Sequence, residues 1–166
     1  DLNDMLAVNA DTALMMIQAC LPHFLFRKSG AVINVASASG LQPTPYLSVY
    51  SATKAFDFQL VRSCHYEYKA EGIDFLSVNP YYFVSKMFNK PETRMCPQPE
   101  KIVKGSLPLL GHQSSCYPYT PHAIFGFIAN NFYEWMPINL EFMKKIREEE
   151  LVFEAEWAME KKLKTK

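Results

Sequence analysis

Glycine is scarce in this sequence. The six glycines are Gly30, Gly40, Gly72, Gly105, Gly111 and Gly126, and no two stand close enough to build a phosphate-cradling loop. Such loops need closely spaced glycines so that backbone N–H groups and a helix N-terminus can approach a pyrophosphate. Cysteine is sparse as well: Cys20, Cys64, Cys96 and Cys116 contain no C-x-x-C pair. Their wide spacing argues against a zinc site or a disulfide framework and predicts reduced thiols in a cytosol-facing compartment. There is no excess of charge, with 17 basic against 17 acidic residues, which removes the bulk electrostatic case for a nucleic-acid partner. The opening residues have no basic stretch ahead of an apolar run, so no signal peptide is expected. No uninterrupted apolar run reaches the length of a spanning helix. Residues 105 to 133 lack Asp, Glu, Lys and Arg, but Pro108, Pro118 and Pro121 break that stretch. What it leaves open is an interfacial helix and peripheral membrane association. His23, His65, His112 and His122 have no metal-ligand spacing. No metal site is expected, and all four read as structural or surface residues.

What is present is a globular composition, 49% hydrophobic and 14% aromatic, in a chain long enough for one domain with a core. Met5 to Phe26 repeats apolar residues at helical spacing, with Asp4 as a cap and Pro22 as the place for a kink. Arg27 to Gly30 is the turn out. Ala31 to Ala36 is a short apolar run and predicts a strand buried on both faces. A loop over Ser37–Ser48 leads to a second long helix, Val49–Lys69, ended by Glu71-Gly72. Ile73 to Val78 predicts a second strand, stopped by Asn79-Pro80. Strand, long helix and strand in this order predict a parallel β-α-β crossover. Beyond it the pattern predicts a loop from Tyr81 to Pro99, a helix over Ile102–Leu110, a short strand within Ser114–Pro121 and an aromatic helix over His122–Trp135. Residues 141–166 hold 7 acidic and 7 basic residues and predict a solvated helical tail, with Glu141/Lys145 and Glu160/Lys164 as i,i+4 pairs. Nothing divides the chain into two domains.

The chemistry concentrates in Ser37-Ala-Ser-Gly40 and Tyr50-Ser-Ala-Thr-Lys54. Tyr50 and Lys54 stand four apart in a helix and share one face. An ammonium near a phenol favours the phenolate, which makes Tyr50 a usable general acid or base. Ser37 lies at the C-terminal end of the preceding strand, where open parallel sheets bind ligands. Its hydroxyl can bond a substrate oxygen while Tyr50 exchanges the proton. Ser39 is the competing serine and reads as a loop cap.

This arrangement resembles the short-chain dehydrogenase/reductase family. Ser37 precedes Tyr50 by 13 positions, the family's usual gap between its serine and the tyrosine of its Y-x-x-x-K motif. Ile33-Asn-Val-Ala-Ser37-Ala-Ser-Gly40 resembles the family's strand and serine segment. Asn9, in Ala7-Val-Asn-Ala10, matches the helix asparagine that holds a proton-relay water. Pro80 and Ser85 match the proline and hydroxyl residue that contact the nicotinamide. Tyr81 after Pro80, with Tyr50–Phe56 and Ser77–Met87, is similar to the branch holding 17β-hydroxysteroid dehydrogenases and very-long-chain 3-ketoacyl-CoA reductases. Lys104–Gly111 and His122-Ala-Ile resemble later segments of that branch.

The resemblance implies an α/β fold: the C-terminal part of a Rossmann-like doubly wound parallel sheet with long flanking helices, residues 1–166 forming the catalytic half of one domain. The family's T-G-x-x-x-G-x-G and N-A-G segments have no counterpart here, so the first strands are expected to be missing and the chain to be a fragment or a truncated product. It implies ketone and secondary-alcohol interconversion with NADP(H) on a steroid or 3-ketoacyl lipid. Tyr50, Lys54, Ser37 and Asn9 would be catalytic, and Tyr50, Lys54, Pro80 and Ser85 would contact the cofactor. It also implies a homodimer through the two long helices. Lys162-Leu-Lys-Thr-Lys166 resembles a retrieval signal of endoplasmic reticulum membrane proteins, which implies the cytosolic face of that membrane; the cytoplasm is the other location considered. The alternative to an enzyme is a truncated, non-catalytic product that acts only through helix-mediated association.

Overall fold

Three parallel strands form the centre of the molecule in the order β1-β2-β3: β1 is Gly30–Val35, β2 Ile73–Val78 and β3 Ser115–Cys116. The computed structural model describes residues 2–86, 88, 90–131, 140, 141, 143–145, 147–149 and 151. The predicted helix beyond Asn131 and the Glu160/Lys164 pair lie outside the described residues. Those described between Leu140 and Leu151 are helical, and Met143 among them is buried.

β2 explains the layering. Ile73 and Phe75 point to one face and pack with Ile17, Val61 and Cys64. Leu76 and Val78 join Ile102 and Cys116 in a second cluster. With apolar partners on both sides, β2 has the double burial expected of a parallel strand. β1 departs from that expectation. Val32 packs on the first cluster, but Ala31, Ile33 and Val35 are exposed, the last two by 39% and 54%. Among the described residues helix cover reaches β1 from one side alone, so its alternating pattern is that of a half-buried strand.

The N-terminal helix is longer than predicted. α1 (Leu2–Leu6), a π-helical turn over Ala7–Asp11 and α2 (Thr12–Arg27) follow one another without a break. Asp4 therefore sits in the first turn rather than at the cap, and Pro22 lies inside α2. Lys28 ends α2 in the left-handed region with φ 53°, so the turn uses a lysine where glycine is commonest. The stretch Leu2–Arg27 has 26 residues and a mean hydropathy of 1.3 in its most apolar window, long and apolar enough to cross a bilayer. This corrects the expectation drawn from uninterrupted runs: Asn9, Thr12 and Gln18 interrupt the apolar run without interrupting the helix. A helix packed on a core meets the same criterion, and here Ile17 is buried against β2 with Leu21, Phe24 and Leu25 beside it.

α3 (Ser48–Tyr68) turns Thr53, Asp57, Val61, Cys64 and His65 inward, a helical spacing that defines its buried face. His65 Nδ1–H donates to the Phe75 carbonyl at 3.0 Å and ties α3 to β2. Gly72 then reverses the chain with φ 78°, and a Cβ there would lie 2.4 Å from the Lys28 carbonyl oxygen. α4 is Pro99–Ser106 and continues as a 3-10 turn over Leu107–Leu109. It starts three residues before the predicted Ile102 because proline is pre-organised for the first helical position. α5 is Thr120–Asn131. The predicted loop after Pro80 is confirmed, closed at its far end by a Thr93–Cys96 bridge.

His122 on α5 pins that loop. It is 0% exposed. Its Nδ1 accepts from the Tyr81 amide at 3.3 Å, so Nε2 carries the proton and donates to the Met95 carbonyl at 3.0 Å. Burial lowers its pKa below the ordinary 6.5, partly opposed by the Met95 bond. The native state holds a neutral ring, while the unfolded chain takes up a proton below about pH 6.5. The stability His122 contributes is therefore present above that pH and is lost as pH falls through 6.5 toward the lower native value. Thermal melts of the wild type should drop over this window more steeply than those of His122→Gln. Parallel curves would contradict the assignment.

Candidate active site

The site is built where β1 ends. Ser37 follows it in extended conformation and caps a 3-10 turn, Ala38–Leu41. Its Oγ accepts from the Ser39 amide at 3.2 Å and from the Ser39 hydroxyl at 2.8 Å. The competing serine thus orients Ser37 from behind. The Ser39 carbonyl accepts from Ser51 Oγ at 2.6 Å, which fastens the turn to the start of α3. Gly40 lets the two backbones meet: a Cβ there would fall 2.5 Å from the Lys54 carbonyl carbon. On the other side the Ala38 amide donates to the Pro80 carbonyl at 3.0 Å. Ser37, the first turns of α3 and Pro80 are therefore brought together at the C-terminal end of the sheet, where ligands bind in open parallel sheets.

Tyr50 and Lys54 are half-buried on α3. Lys54 Nζ donates to the Val35 carbonyl at 3.3 Å, at the last residue of β1, and to Asp57 Oδ2 at 3.0 Å. Asn9 sits in the π-helical turn, and its Nδ2 donates to Thr53 Oγ1 at 3.1 Å. That hydroxyl in turn donates to the Tyr50 carbonyl at 2.8 Å. The predicted asparagine is thus beside the Tyr50–Lys54 turn, joined to it through a threonine that sequence reasoning did not single out. Ser85 lies farther along the loop, where its Oγ accepts from the Phe88 amide at 3.0 Å as a turn cap does.

Tyr81 and Asp57 also shape the site. Tyr81 donates to Gln42 Oε1 at 3.0 Å, linking the two loops that flank Ser37. Its ring stacks on Tyr117 at 6.1 Å and meets Phe125 edge-on at 5.1 Å. Burial, then the neighbouring Tyr117, pushes its phenol far above the usual range, so Tyr81 stays a neutral donor. Asp57, 1% exposed, has one signal in the sequence: an acid three residues after a lysine on one helix face.

The residues fit one end of a nicotinamide cofactor. Lys54 has three donors; Val35 and Asp57 engage two and leave one for a ribose hydroxyl. For the pyrophosphate end, the described residues contain no glycine-rich turn opening a helix. A groove of about 460 Å³ runs between the N-terminal helix and β1, with Asn9, Asn34, Lys54 and Asp57 among its polar lining.

A family model for the short chain dehydrogenases matches residues 1–95, and the chain belongs to that family. Among proteins of known name it is similar to a very-long-chain 3-oxoacyl-CoA reductase-B of Danio rerio, 40% identical over 130 residues, covering 77% of this chain and 42% of the relative. The chain thus spans less than half the length of that relative. A structure described for 7β-hydroxysteroid dehydrogenase stereoselectivity superposes with a TM-score of 0.70 over 84% of this chain and 57% of its own, at 21% identity; this likeness shows the Rossmann-like α/β fold. A gluconate 5-dehydrogenase of Burkholderia cenocepacia in complex with NADP and tartrate gives a TM-score of 0.51 at 26% identity over 54% of this chain and 35% of its own.

Proposed function

We propose that this chain carries the catalytic half of an NADP-dependent reductase that interconverts a ketone and a secondary alcohol on a 3-oxoacyl or steroid lipid. The observation that carries the reading is that the Ser37 turn is fastened both to the start of α3, the helix that bears Tyr50 and Lys54, and to Pro80 at one end of the sheet, in a chain of this family. Ser37 would hydrogen-bond the carbonyl oxygen and orient it. Tyr50 would give that oxygen its proton in the transition state. Lys54, one turn from Tyr50 on α3, would hold the nicotinamide ribose. Asn9 would position the relay water, and Pro80 and Ser85 would bound the nicotinamide. Bound cofactor would supply the hydride.

NADP as the cofactor is supported by its presence in the Burkholderia cenocepacia relative, and a long acyl substrate by the name of the Danio rerio reductase. A homodimer through Leu2–Arg27 and Ser48–Tyr68 is supported by exposed apolar residues on both, among them Met15, Met16 and Phe56. Membrane association is supported by the apolar composition of Leu2–Arg27 and by Ile124, Phe127 and Ile128, all exposed on α5. Residence at the cytosolic face of the endoplasmic reticulum is proposed with it, supported by the same apolar composition of Leu2–Arg27.

The test is ketone-dependent oxidation of NADPH and NADH by the protein as its host expresses it, including whatever precedes Asp1 in the reading frame. Faster consumption of NADPH with a long-chain 3-oxoacyl-CoA or a ketosteroid is expected. No acceleration by either ketone would end the proposal. Residues 1–166 alone should not bind NADPH tightly, because backbone donors at a helix N-terminus supply most of the pyrophosphate anchoring in such folds. A micromolar affinity by calorimetry would contradict this.

A further inference from the structure

Lys54 is held by an acid outside the Y-x-x-x-K motif. Asp57 lies three residues on, so both side chains leave α3 on the same face. Their charged groups are 3.0 Å apart, with side chains only 13% and 1% exposed. Burying two charges costs several kcal/mol per ion, and an apolar pair of similar volume is often as stable or more so. Stability alone is therefore a weak reason for an acid here. The arrangement is also incomplete as a structural ion pair. Asp57 Oδ1 is buried without a hydrogen-bond partner among the described residues, and so is Asn34 Nδ2. Both residues line the groove that Lys54 and Asn9 also line. What the acid does visibly is fix the ammonium: with the Val35 carbonyl it sets Nζ against the end of β1.

We propose that Asp57 is a positioning residue, which holds the Lys54 ammonium at the C-terminal end of β1 with its remaining donor turned to the cofactor's nicotinamide ribose. The ribose part rests on the reading of Lys54 given under the proposed function. The holding part rests on geometry alone. Without Asp57 the lysine keeps one weaker acceptor, the Val35 carbonyl, and its four-carbon stem is free to take other rotamers.

Two variants test this in the protein as its host expresses it. Asp57→Val removes the acceptor, and Asp57→Asn keeps the shape and an acceptor oxygen without the charge. Glu149→Gln, which breaks the exposed Lys90 pair, is the control. The first measurement is acetylation of Lys54 in cofactor-free protein, followed by mass spectrometry against Lys104. Asp57→Val should raise the relative rate about fivefold or more, with Asp57→Asn between it and the wild type. The second is steady-state kinetics. The KM for NADPH should rise about tenfold and kcat should fall, while the KM for the ketone stays within a factor of two. Asp57→Asn should recover part of the loss. An unchanged acetylation rate in a folded variant overturns the holding. Faster acetylation with unchanged kinetics overturns the ribose part. Faster acetylation in a protein that reduces no ketone supports the holding and sinks the proposed function instead. If Asp57→Val does not fold, Asp57→Asn decides.

Discussion

Replacing Tyr50 by phenylalanine is expected to lower kcat for ketone reduction about 10³-fold, within the range that a positioned general acid contributes. The KM values should move little, because the proton is transferred in the transition state and the hydroxyl adds little to ground-state binding. The substitution removes one oxygen from a half-buried side chain. The contacts that set α3 against the Ser37 turn come from other atoms: Ser51 Oγ on the Ser39 carbonyl and the backbones of Gly40 and Lys54. A melting temperature near that of the wild type should accompany the loss. The link to Asn9 also survives, since Thr53 bonds the Tyr50 carbonyl and not its ring. Comparing Tyr50→Phe with Ser37→Ala separates two roles. Both should lose activity, but Ser37→Ala should also loosen the turn, because Ser37 Oγ accepts both Ser39 donors. A Tyr50→Phe enzyme that turns over at the wild-type rate would remove Tyr50 from the chemistry.

Much of this site was legible in the sequence because its parts are local. Tyr50 and Lys54 belong to one helix, and Ser37 to the end of the strand before it, so residue type and spacing carry their relation. The β-α-β order was legible for the same reason: an apolar run, a long helical period and a second apolar run each announce themselves. What was not legible depends on contacts distant in sequence. Asn9 meets Thr53 across 44 residues, and His122 meets Tyr81 across 41; no periodicity encodes either. The exposure of Ile33 and Val35 was missed because an apolar run shows what a strand can bury and not which layers reach it. The bilayer-length helix was missed because run counting stops at Asn9 and Thr12, whereas the backbone passes through both. Asp57 was overlooked though its spacing was in view, since an acid near a lysine on a helix usually lies on a solvated surface. Only its burial shows otherwise.

The largest expected effect on stability comes from Phe75, the bulkiest fully buried side chain among the described residues. It stands in the middle of β2, paired in register with Val32 of β1. Ile17 of α2, Val61 and Cys64 of α3 and Ile73 of its own strand enclose it, and the Tyr68 ring lies 6.0 Å away. One side chain thus joins both long helices to the sheet. Phe75→Ala should cost about 3–5 kcal/mol, the lost transfer energy plus a cavity that packed helices and a paired strand cannot close. That is a large share of the roughly 5–15 kcal/mol that keeps a domain folded. Phe75→Leu should lose about 1–2 kcal/mol, since most of the apolar area stays buried. The hydrogen bond from His65 should persist in both, because its acceptor is the Phe75 main-chain carbonyl. Phe26→Ala is the control: that ring is 87% exposed, and the change should stay within about 0.5 kcal/mol of the wild type. Urea denaturation of the four proteins measures the series. If Phe75→Ala unfolds at the same midpoint as Phe26→Ala, the two long helices do not share the core described here.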